Sequence, residues 1–591
     1  METGDETTIE FNLDASKANE GPKLMSGDIG YDEFAGTLSL LGYTNLGVIK
    51  EAAKDTFRYV RIHNLFTSRE GDQRGARDAG GDPVKIGEDG SYYYDWTIID
   101  LVFQSILDVG CTPFVELGFT PTLWSSKERL LKENIENLDL ELQVKLRSLG
   151  GRQPGLYPPF SNRLWEDLLE KFFMHLKQKF GESALEWPLG LWNEPDFGYF
   201  KGTLEEYCEL WKITYRISKK HGMKTLGGPA IAGKMEFLKN FLKYCVEENC
   251  PPDYIDWHVK AGGSSTMTAS SMLLWMNMQA GKDQIPQELK DTPIWFTEFD
   301  PIVGCELGLF HNSKWVFRNE SYYASWLGKS CYIIASCQQS LYFDNGEYDE
   351  EIGELVIDTV FNDCHHLTAE GGPFYGARVL STPVWVEKTA KIEKNFDPLA
   401  ELMKDPGFET KYPSLVDMLA DIDMRLFKPA NAENYVLKAL PKPIFRAFEI
   451  CTRLKGKFVP FTNKEHYVYG VLAVEKGNLK ICMGIHDDTA LLGDDSEVDC
   501  VINIRSVEGI SSNCKLIESK RIDNESCNPF ELWKEMDEPV KVSEEEWGAL
   551  QMSTIPGPAL VKDIAIDQDK QLLAFNIHML GSSINYLNFK L

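Results

Sequence analysis

Two glutamates, Glu194 and Glu298, are the residues of this sequence whose type and setting best fit a chemical role. The first lies in Gly190 to Phe197, GLWNEPDF, and the second in Pro293 to Val303, PIWFTEFDPIV. Each follows a short apolar run rich in β-forming residues, so each is expected where a strand ends. Two such carboxyl groups can hydrolyse a glycosidic bond, because one protonates the leaving oxygen while the other attacks the sugar or activates water.

The neighbours of Glu194 strengthen the catalytic interpretation. A single glutamate at a strand end is most often structural, whereas Trp-Asn-Glu-Pro together with a second strand-end glutamate favours catalysis. Asn193 suits a hydrogen bond to the sugar 2-hydroxyl, a contact that strengthens in an oxocarbenium-like transition state. Pro195 has no backbone N–H and helps to end the strand there. The four residues therefore predict one half of a glycosidase site.

The elements that would carry the two glutamates alternate between strands and helices. Amphipathic helices are predicted at Ser161 to Phe180 and at Thr203 to His221, the second with a capping box formed by Thr203 and Glu206. The predicted strands are Phe57 to Ile62, Thr112 to Leu117, Leu189 to Trp192, Lys224 to Gly228, Tyr254 to Val259, Pro293 to Phe296 and Ser340 to Phe343, after a weaker one near Met25 to Tyr31. This rhythm favours an α/β fold, a (β/α)8 TIM barrel, with the glutamates on its fourth and seventh strands.

The rest of the chain shows other patterns, which divide it into four parts. Residues 25–384 are expected to form the barrel, and residues 385–440 a charged, mainly helical insertion. Period-two alternation in residues 441–591 predicts an attached antiparallel β-sandwich. The N-terminal residues 1–24 contain TIEFNLD, which alternates in the same way and is expected to add a strand to that sandwich.

Composition limits the classes of partner. The 591 residues hold 90 acidic and 61 basic side chains, a net charge of −29, which argues against binding nucleic acid or an anionic membrane. The 13 cysteines are scattered without a CxxC pair, so neither zinc nor another metal or cofactor is expected. The first thirty residues hold no apolar run typical of a signal peptide, so a complete chain of this sequence would be cytoplasmic.

Several motifs resemble glycoside hydrolase family 39. They include RYVRIH, TPFVELGFTP, WNEPD, GGPAIAG, the strand before Glu298, PKPIFRAFE and NPFELW. The resemblance extends from about Phe57 to the C-terminus. It implies a retaining enzyme with a barrel and a β-sandwich, in which Glu194 is the acid/base and Glu298 the nucleophile. His63 resembles a sugar ligand of the family, although a buried histidine with only structural partners is the alternative.

The family contains β-xylosidases and α-L-iduronidases, which differ in whether the terminal sugar carries a carboxylate. In this chain the segment DYIDWHVKAGGSS resembles the iduronidases, with His258 and Lys260 at the positions of a histidine and a carboxylate-binding lysine. The segment EFDPIVG, which ends at Gly304, also resembles iduronidases. Arg378 lies near the position of a carboxylate-binding arginine, and Asp344 near an acidic sugar-binding position. His258 and Gly304 are implied sugar contacts.

Three functions remain open on the sequence alone. The leading expectation is an exo-acting enzyme that removes a terminal uronic acid from an oligosaccharide or a glycosaminoglycan-derived fragment. The second is a β-xylosidase or related pentosidase acting on plant oligosaccharides, for which a solvated Lys260 would suffice. The third is a non-catalytic carbohydrate-binding protein on a decayed barrel, against which the presence of both glutamates argues.

Overall fold

The structure is a computed structural model. It describes residues 8–20, 26–31, 46, 56–63, 65–66, 81–126, 154–262, 270–302, 320–338, 356–361, 384–389, 436–488, 496–537, 539 and 542–591.

Eight parallel strands form a (β/α)8 barrel. They are β1 (Ser26–Tyr31), β2 (Phe57–Ile62), β3 (Thr112–Leu117), β4 (Leu189–Leu191), β5 (Leu226–Ile231), β6 (Tyr254–Trp257), β7 (Ile294–Trp295) and β8 (Val356–Phe361). Their order in the sheet is β7-β6-β5-β4-β3-β2-β1-β8, so the two outermost strands are neighbours in the chain. A cyclic order of this kind is the signature of a sheet that closes on itself. The fold class predicted from strand–helix alternation is confirmed.

Amphipathic helices between the barrel strands bury one apolar stripe, whereas the described side chains of Ser321–Gln338 are buried on almost all sides. Leu204–His221 begins with the predicted capping box of Thr203 and Glu206 and ends at Gly222 in the left-handed region. Asn162–Phe180 follows Ser161, whose side chain makes no capping hydrogen bond. The other barrel helices are Thr97–Asp108, Met235–Glu247, Ser270–Lys282 and Ser321–Gln338. Within the described ranges, no helix is long and apolar enough to cross a bilayer.

Two sequence-based expectations fall wholly or mostly outside the described residues. The strand expected at Ser340 to Phe343 lies outside the described residues, and the place beside β1 belongs to β8. Most of the insertion expected at residues 385–440 also lies outside them. At its two ends, Val384–Thr389 and Val436–Pro441 pair as an antiparallel ribbon.

The barrel interior changes from apolar to charged along the strands. Its aromatic layer consists of Tyr59, Phe114, Tyr254 and Trp295, and the last two rings stack with centroids 3.9 Å apart. Gly227 faces this layer, where a Cβ would lie 2.0 Å from Tyr254 Cζ, so any larger residue would clash. Because side chains on one face of a strand recur every second residue, Arg61, Glu116, Asp256 and Thr297 follow in the next layer. The aromatic layer thus packs against a polar layer that lies one step closer to the C-terminal ends of the strands.

The second domain is a β-sandwich of two sheets. One sheet has the order Ile9–Asp14, Glu497–Arg505, Leu572–Leu580 and Leu560–Asp567. The other has the order Asn19–Glu20, Lys457–Asn463, Val468–Glu475, Asn478–Ile485, Ile584–Lys590 and Lys515–Ile522. All pairings are antiparallel except that of the N-terminal strand, which runs parallel to Glu497–Arg505. Three short helices, Pro443–Cys451, Pro529–Glu535 and Glu544–Ser553, accompany the sheets.

The last barrel helix joins the two domains through a buried polar chain. Ser325 Oγ lies 2.7 Å from His486 Nδ1, and His486 Nε2 lies 3.0 Å from Asp488 Oδ1. Lys329 Nζ donates to the carbonyl oxygen of His486 at 3.1 Å. Burial lowers the pKa of His486 below its ordinary value, chiefly because the protonated ring would lose its hydration.

His486 should therefore make the protein less stable in acid. Its pKa is lower in the folded than in the unfolded state, so the unfolded state takes up the proton first and stability falls as pH drops below about 6.5. In His486→Gln, the melting midpoint should therefore fall less between pH 7 and pH 5 than in wild type. The free energy of unfolding should lose up to about 1.4 kcal/mol less per pH unit. The control is His578→Gln on a sandwich strand. Parallel pH curves for wild type and His486→Gln would contradict the prediction.

Candidate active site

Glu194 lies just beyond β4 on a backbone held in an uncommon conformation. Trp192 and Glu194 both have positive φ, 67° and 40°, which costs roughly 1–3 kcal/mol for each non-glycine residue. The surrounding structure holds them there. The Trp192 indole N–H donates to the carbonyl oxygen of Tyr199 at 2.8 Å, and the Glu194 N–H donates to that of Ala230 at 3.0 Å. Positive φ at this point therefore serves to aim the Glu194 side chain.

Asp196 fastens the same loop to the next one. Its carboxylate accepts hydrogen bonds from the backbone N–H groups of Ala232, Gly233 and Lys234 at 2.7, 3.1 and 2.8 Å. In return, Lys234 Nζ donates to the Asp196 carbonyl oxygen at 2.6 Å. These hydrogen bonds tie the loops after β4 and β5 together beside Glu194.

Glu298 lies beyond β7 and is almost fully buried. Its side chain is 2% exposed, whereas that of Glu194 is 16% exposed. Arg61 Nη1 donates to Glu298 Oε1 at 3.1 Å, which places a permanent positive charge beside the carboxylate. A buried carboxylate needs such a partner, because desolvation of an unpaired charge is costly.

Arg61, on β2, connects the carboxylates beneath the site. Its Nη2 donates to Glu116 Oε2 at 2.9 Å and to Asn193 Oδ1 at 3.0 Å. The guanidinium thus contacts side chains from the ends of β3, β4 and β7 with its planar set of donors. Because Arg61 holds the amide oxygen of Asn193, the group that Asn193 can offer to a sugar hydroxyl is its NH2 donor.

His63, which sequence suggested as a sugar ligand, lies inside this network and is buried. Its Nδ1 is 2.9 Å from Glu116 Oε2, and its Nε2 is 3.1 Å from Arg61 Nη1 and 3.6 Å from Glu298 Oε1. Burial and the charge of Arg61 act to lower the pKa of His63, but the carboxylates of Glu116 and Glu298 together outweigh them and the pKa is raised. The structure therefore gives His63 protein partners on both ring nitrogens.

His258 follows β6 and bridges the two glutamates. Its Nδ1 is within hydrogen-bond distance of Glu194 Oε1, at 2.9 Å, and lies 3.2 Å from Glu298 Oε2, so the ring is in contact with both carboxyl groups. One donor atom from each of the three side chains lies within 4.8 Å of the others. Retaining glycosidases have carboxyl groups about 5–5.5 Å apart, whereas inverting ones need about 6.5–9.5 Å. The short bridge fits the retaining geometry.

Of the four remaining residues predicted from the sequence, the structure describes the backbone of Lys260. The backbone of Lys260 lies on the strand Val259–Gly262, which pairs in parallel with Phe299–Ile302, directly after Glu298. Lys260 is paired there with Asp300 in register. Gly304, Asp344 and Arg378 lie outside the described residues.

Arg61, Glu116 and Asp256 belong to the site but were missed by sequence reasoning. Each interrupts a run of apolar residues within a barrel strand, in FRYVRI, TPFVEL and YIDW. A charged residue in a strand buried on both faces is costly without a partner, and that cost was the available signal. Arg61 and His63 also share one strand face, since they are two residues apart.

The arrangement can protonate one atom and attack another on the same bound molecule. Glu194 reaches solvent, as a group that exchanges protons must, while Glu298 is dry and faces a guanidinium. Among the described residues, Glu194, His258 and Glu298 are also the group whose donor atoms are close enough to hold a cation. Two of these three side chains, Glu194 and Glu298, are the carboxyl groups that a two-carboxylate hydrolysis requires.

Comparison with known proteins agrees with this chemistry. The sequence profile of "Glycosyl hydrolases family 39" matches residues 152–341, which include both glutamates. A β-xylosidase of Caldicellulosiruptor saccharolyticus is 22% identical over 507 residues, covering 83% of this chain and 80% of the relative.

Two solved structures share the fold along nearly the whole chain. A monomeric β-xylosidase from Caulobacter crescentus superposes with a TM-score of 0.63 at 16% identity, covering 99% of each chain. A bacterial orthologue of human α-L-iduronidase gives a TM-score of 0.65 at 16% identity, covering 98% of this chain and 83% of the other. The fold, the family profile over residues 152–341 and the paired carboxyl groups agree: the protein is a glycoside hydrolase, similar to glycoside hydrolase family 39.

Proposed function

We propose that the protein is a retaining, exo-acting glycosidase in which Glu298 is the nucleophile and Glu194 the acid/base. The observation that carries the proposal is that His258 Nδ1 contacts both Glu194 Oε1 and Glu298 Oε2, so the two carboxyl groups lie close together. Such closeness suits direct attack on the sugar and leaves no room for the water that an inverting enzyme places between its carboxyl groups.

The reaction proceeds in two displacements. A Glu298 oxygen forms a bond to the anomeric carbon while the bond to the leaving oxygen breaks and Glu194 gives that oxygen its proton. Glu194, now a carboxylate, then takes a proton from water as the water attacks the glycosyl-enzyme. This step releases the sugar, restores Glu298 as a carboxylate and returns the proton to Glu194. Arg61 stabilises Glu298 whenever it is ionised.

We propose a terminal uronic acid as the sugar, in the manner of an α-L-iduronidase. A carboxylate entering a closed pocket needs a cation, and Lys260 and Arg378 are the candidates. The argument rests on the iduronidase-like segments around His258 and after Glu298. It is supported by the register of Val259–Gly262 with Phe299–Ile302, which places the backbone of Lys260 on the strand that continues from His258.

A terminal β-xyloside is the second candidate. It is favoured by the Caldicellulosiruptor saccharolyticus relative, which is named a β-xylosidase and matches 83% of this chain. Xylose has no carboxylate, so neither Lys260 nor Arg378 would have an ionic role in that reaction.

A panel of aryl glycosides separates the two substrates. We expect phenol release from an aryl α-L-iduronide to exceed release from the matching β-xyloside. Replacing Lys260 with Met should lower kcat/KM for the uronide about 10- to 150-fold, the equivalent of one charge-assisted hydrogen bond, and leave the xyloside rate unchanged. Lys239→Met, on an exposed part of the helix Met235–Glu247, is the matched control. Brisk xyloside hydrolysis without uronide hydrolysis would contradict the uronide proposal.

A further inference from the structure

Asp256 is a buried carboxyl group that the two displacements do not use. It lies on β6 between Tyr254, whose ring is in the aromatic layer, and His258, which bridges the two glutamates. Asp256 is 1% exposed, and its Oδ1 is bound by Thr297, the residue before Glu298. A buried carboxylate of this kind is costly, and its presence in the barrel calls for a function.

The backbone next to Asp256 contains an irregularity at the nucleophile. Asp256 pairs in register with Trp295, and the next pair between these two chain segments is Val259 with Phe299. Two residues, Trp257 and His258, therefore face three, Phe296, Thr297 and Glu298. One extra residue on one strand is a β-bulge, which bends the strand and re-aims a side chain. Glu298 is the last residue of this bulge.

A bulge leaves part of the ladder without its regular partners, and here a side chain replaces them. Asp256 Oδ1 accepts from the Thr297 hydroxyl at 2.7 Å and from the Thr297 backbone N–H at 3.3 Å. The Glu298 carbonyl oxygen accepts from the Val259 N–H at 2.8 Å, where regular pairing resumes. The backbone of Glu298 is thus held on one side by the ladder and on the other by Asp256.

The charge of Asp256 suits this role near neutral pH. Burial raises the pKa of Asp256 to about 6, while the positive charges of His258 and Arg61 and the hydrogen bonds from Thr297 act in the opposite direction. Above that pH the group is a carboxylate, the form that accepts both hydrogen bonds. The charge of Asp256 also acts on the phenols of Tyr254 and Tyr207, where it adds to the rise in pKa that burial causes.

We propose that Asp256 is a positioning residue of the reaction: by binding Thr297 it fixes the bulge and so aims Glu298 at the anomeric carbon. The inference rests on the proposed role of Glu298 as nucleophile. Misplacing a reacting group by about 1 Å can cost on the order of 10²-fold in rate. The effect should appear in kcat, because Asp256 and Thr297 bind each other and act on the reaction through the position of Glu298.

Asp256→Leu removes the acceptor while keeping the branching and the number of side-chain heavy atoms, and Asp256→Asn keeps an acceptor oxygen. Thr297→Val removes the hydroxyl, and Thr297→Ser keeps it. With the best aryl glycoside, we expect Asp256→Leu and Thr297→Val to lower kcat about 10- to 100-fold with KM within about twofold. Asp256→Asn and Thr297→Ser should retain most of the wild-type rate. The double variant Asp256→Leu/Thr297→Val should be no slower than the slower single variant, because both remove one interaction. Asp253→Asn, at the start of β6, is the control.

A crystal structure of Asp256→Leu provides a readout that does not depend on the sugar. We expect the Glu298 carboxylate to move by about 1 Å or more, with the fold unchanged. If Asp256→Leu does not fold, Asp256→Asn and the Thr297 pair still test the contact. Normal kcat in Thr297→Val, additive losses in the double variant or an unmoved Glu298 would overturn the inference. Wild-type labelling by a 2-fluoro sugar at a residue other than Glu298 would instead overturn the proposed function.

Discussion

Replacing Glu298 with Gln should reduce kcat by about 10⁴-fold or more on every substrate the enzyme accepts. The amide has nearly the same shape but no anionic oxygen, so it cannot form the bond to the anomeric carbon. The measurement is phenol release from an aryl glycoside, with Glu236→Gln on an exposed helix as the control. A 2-fluoro sugar should label wild type on Glu298 and leave the variant unlabelled.

The configuration of the product formed when azide replaces the missing nucleophile tests the role of Glu298 a second time. In Glu298→Ala, added azide can occupy the vacated space and attack the sugar from the nucleophile's side. One displacement then yields a glycosyl azide of inverted configuration, which NMR identifies. A variant that keeps more than about a hundredth of wild-type kcat without azide, or gives a product of retained configuration, would show that Glu298 is not the nucleophile.

Replacing Glu194 with Gln should cost about 10²- to 10⁴-fold, in a way that depends on the leaving group. A poorly acidic leaving group needs the proton and should suffer the full loss. A dinitrophenyl glycoside leaves without protonation, so its first displacement should stay within about tenfold of wild type. Because the second displacement lacks its base, the glycosyl-enzyme should accumulate and a burst of phenol should precede a slow steady state.

Azide should again report the geometry. In Glu194→Ala it can attack the glycosyl-enzyme from the side on which water normally enters, so two displacements give a glycosyl azide of retained configuration. The opposite outcomes in the Glu194 and Glu298 variants assign the two roles independently of the substrate. Equal losses for dinitrophenyl and alkyl leaving groups in Glu194→Gln would count against its role as the acid.

The contrast between the two glutamates has a structural origin. Glu298 is 2% exposed and paired with a guanidinium, which favours a persistent negative charge, whereas Glu194 is 16% exposed at a turn near solvent. Two carboxyl groups with different surroundings can divide the roles of nucleophile and acid/base. His258, in contact with both, keeps them at a short separation while each retains its own environment.

Strand–helix periodicity identified the barrel because its cause is local. A strand buried on both faces must be apolar along its length, and a helix covering it must be apolar on one stripe, so each element carries its own signal. The capping box at Thr203 and Glu206 was visible for the same reason. The eighth strand, Val356–Phe361, is identified by its pairing with β1, a contact between distant parts of the chain, whereas Ser340 to Phe343 lies outside the described residues.

The sequence by itself determined the reaction class, since Trp-Asn-Glu-Pro and a second strand-end glutamate sufficed to indicate a glycosidase. Only the tertiary structure decided how the pair is held, because Arg61, Glu116 and Asp256 come from three strands far apart in the chain. Their partners depend on which strands become neighbours and on a bulge of one residue beside Glu298. Neither property is local: strand neighbours are set by closure of the barrel, and the bulge by register between two strands.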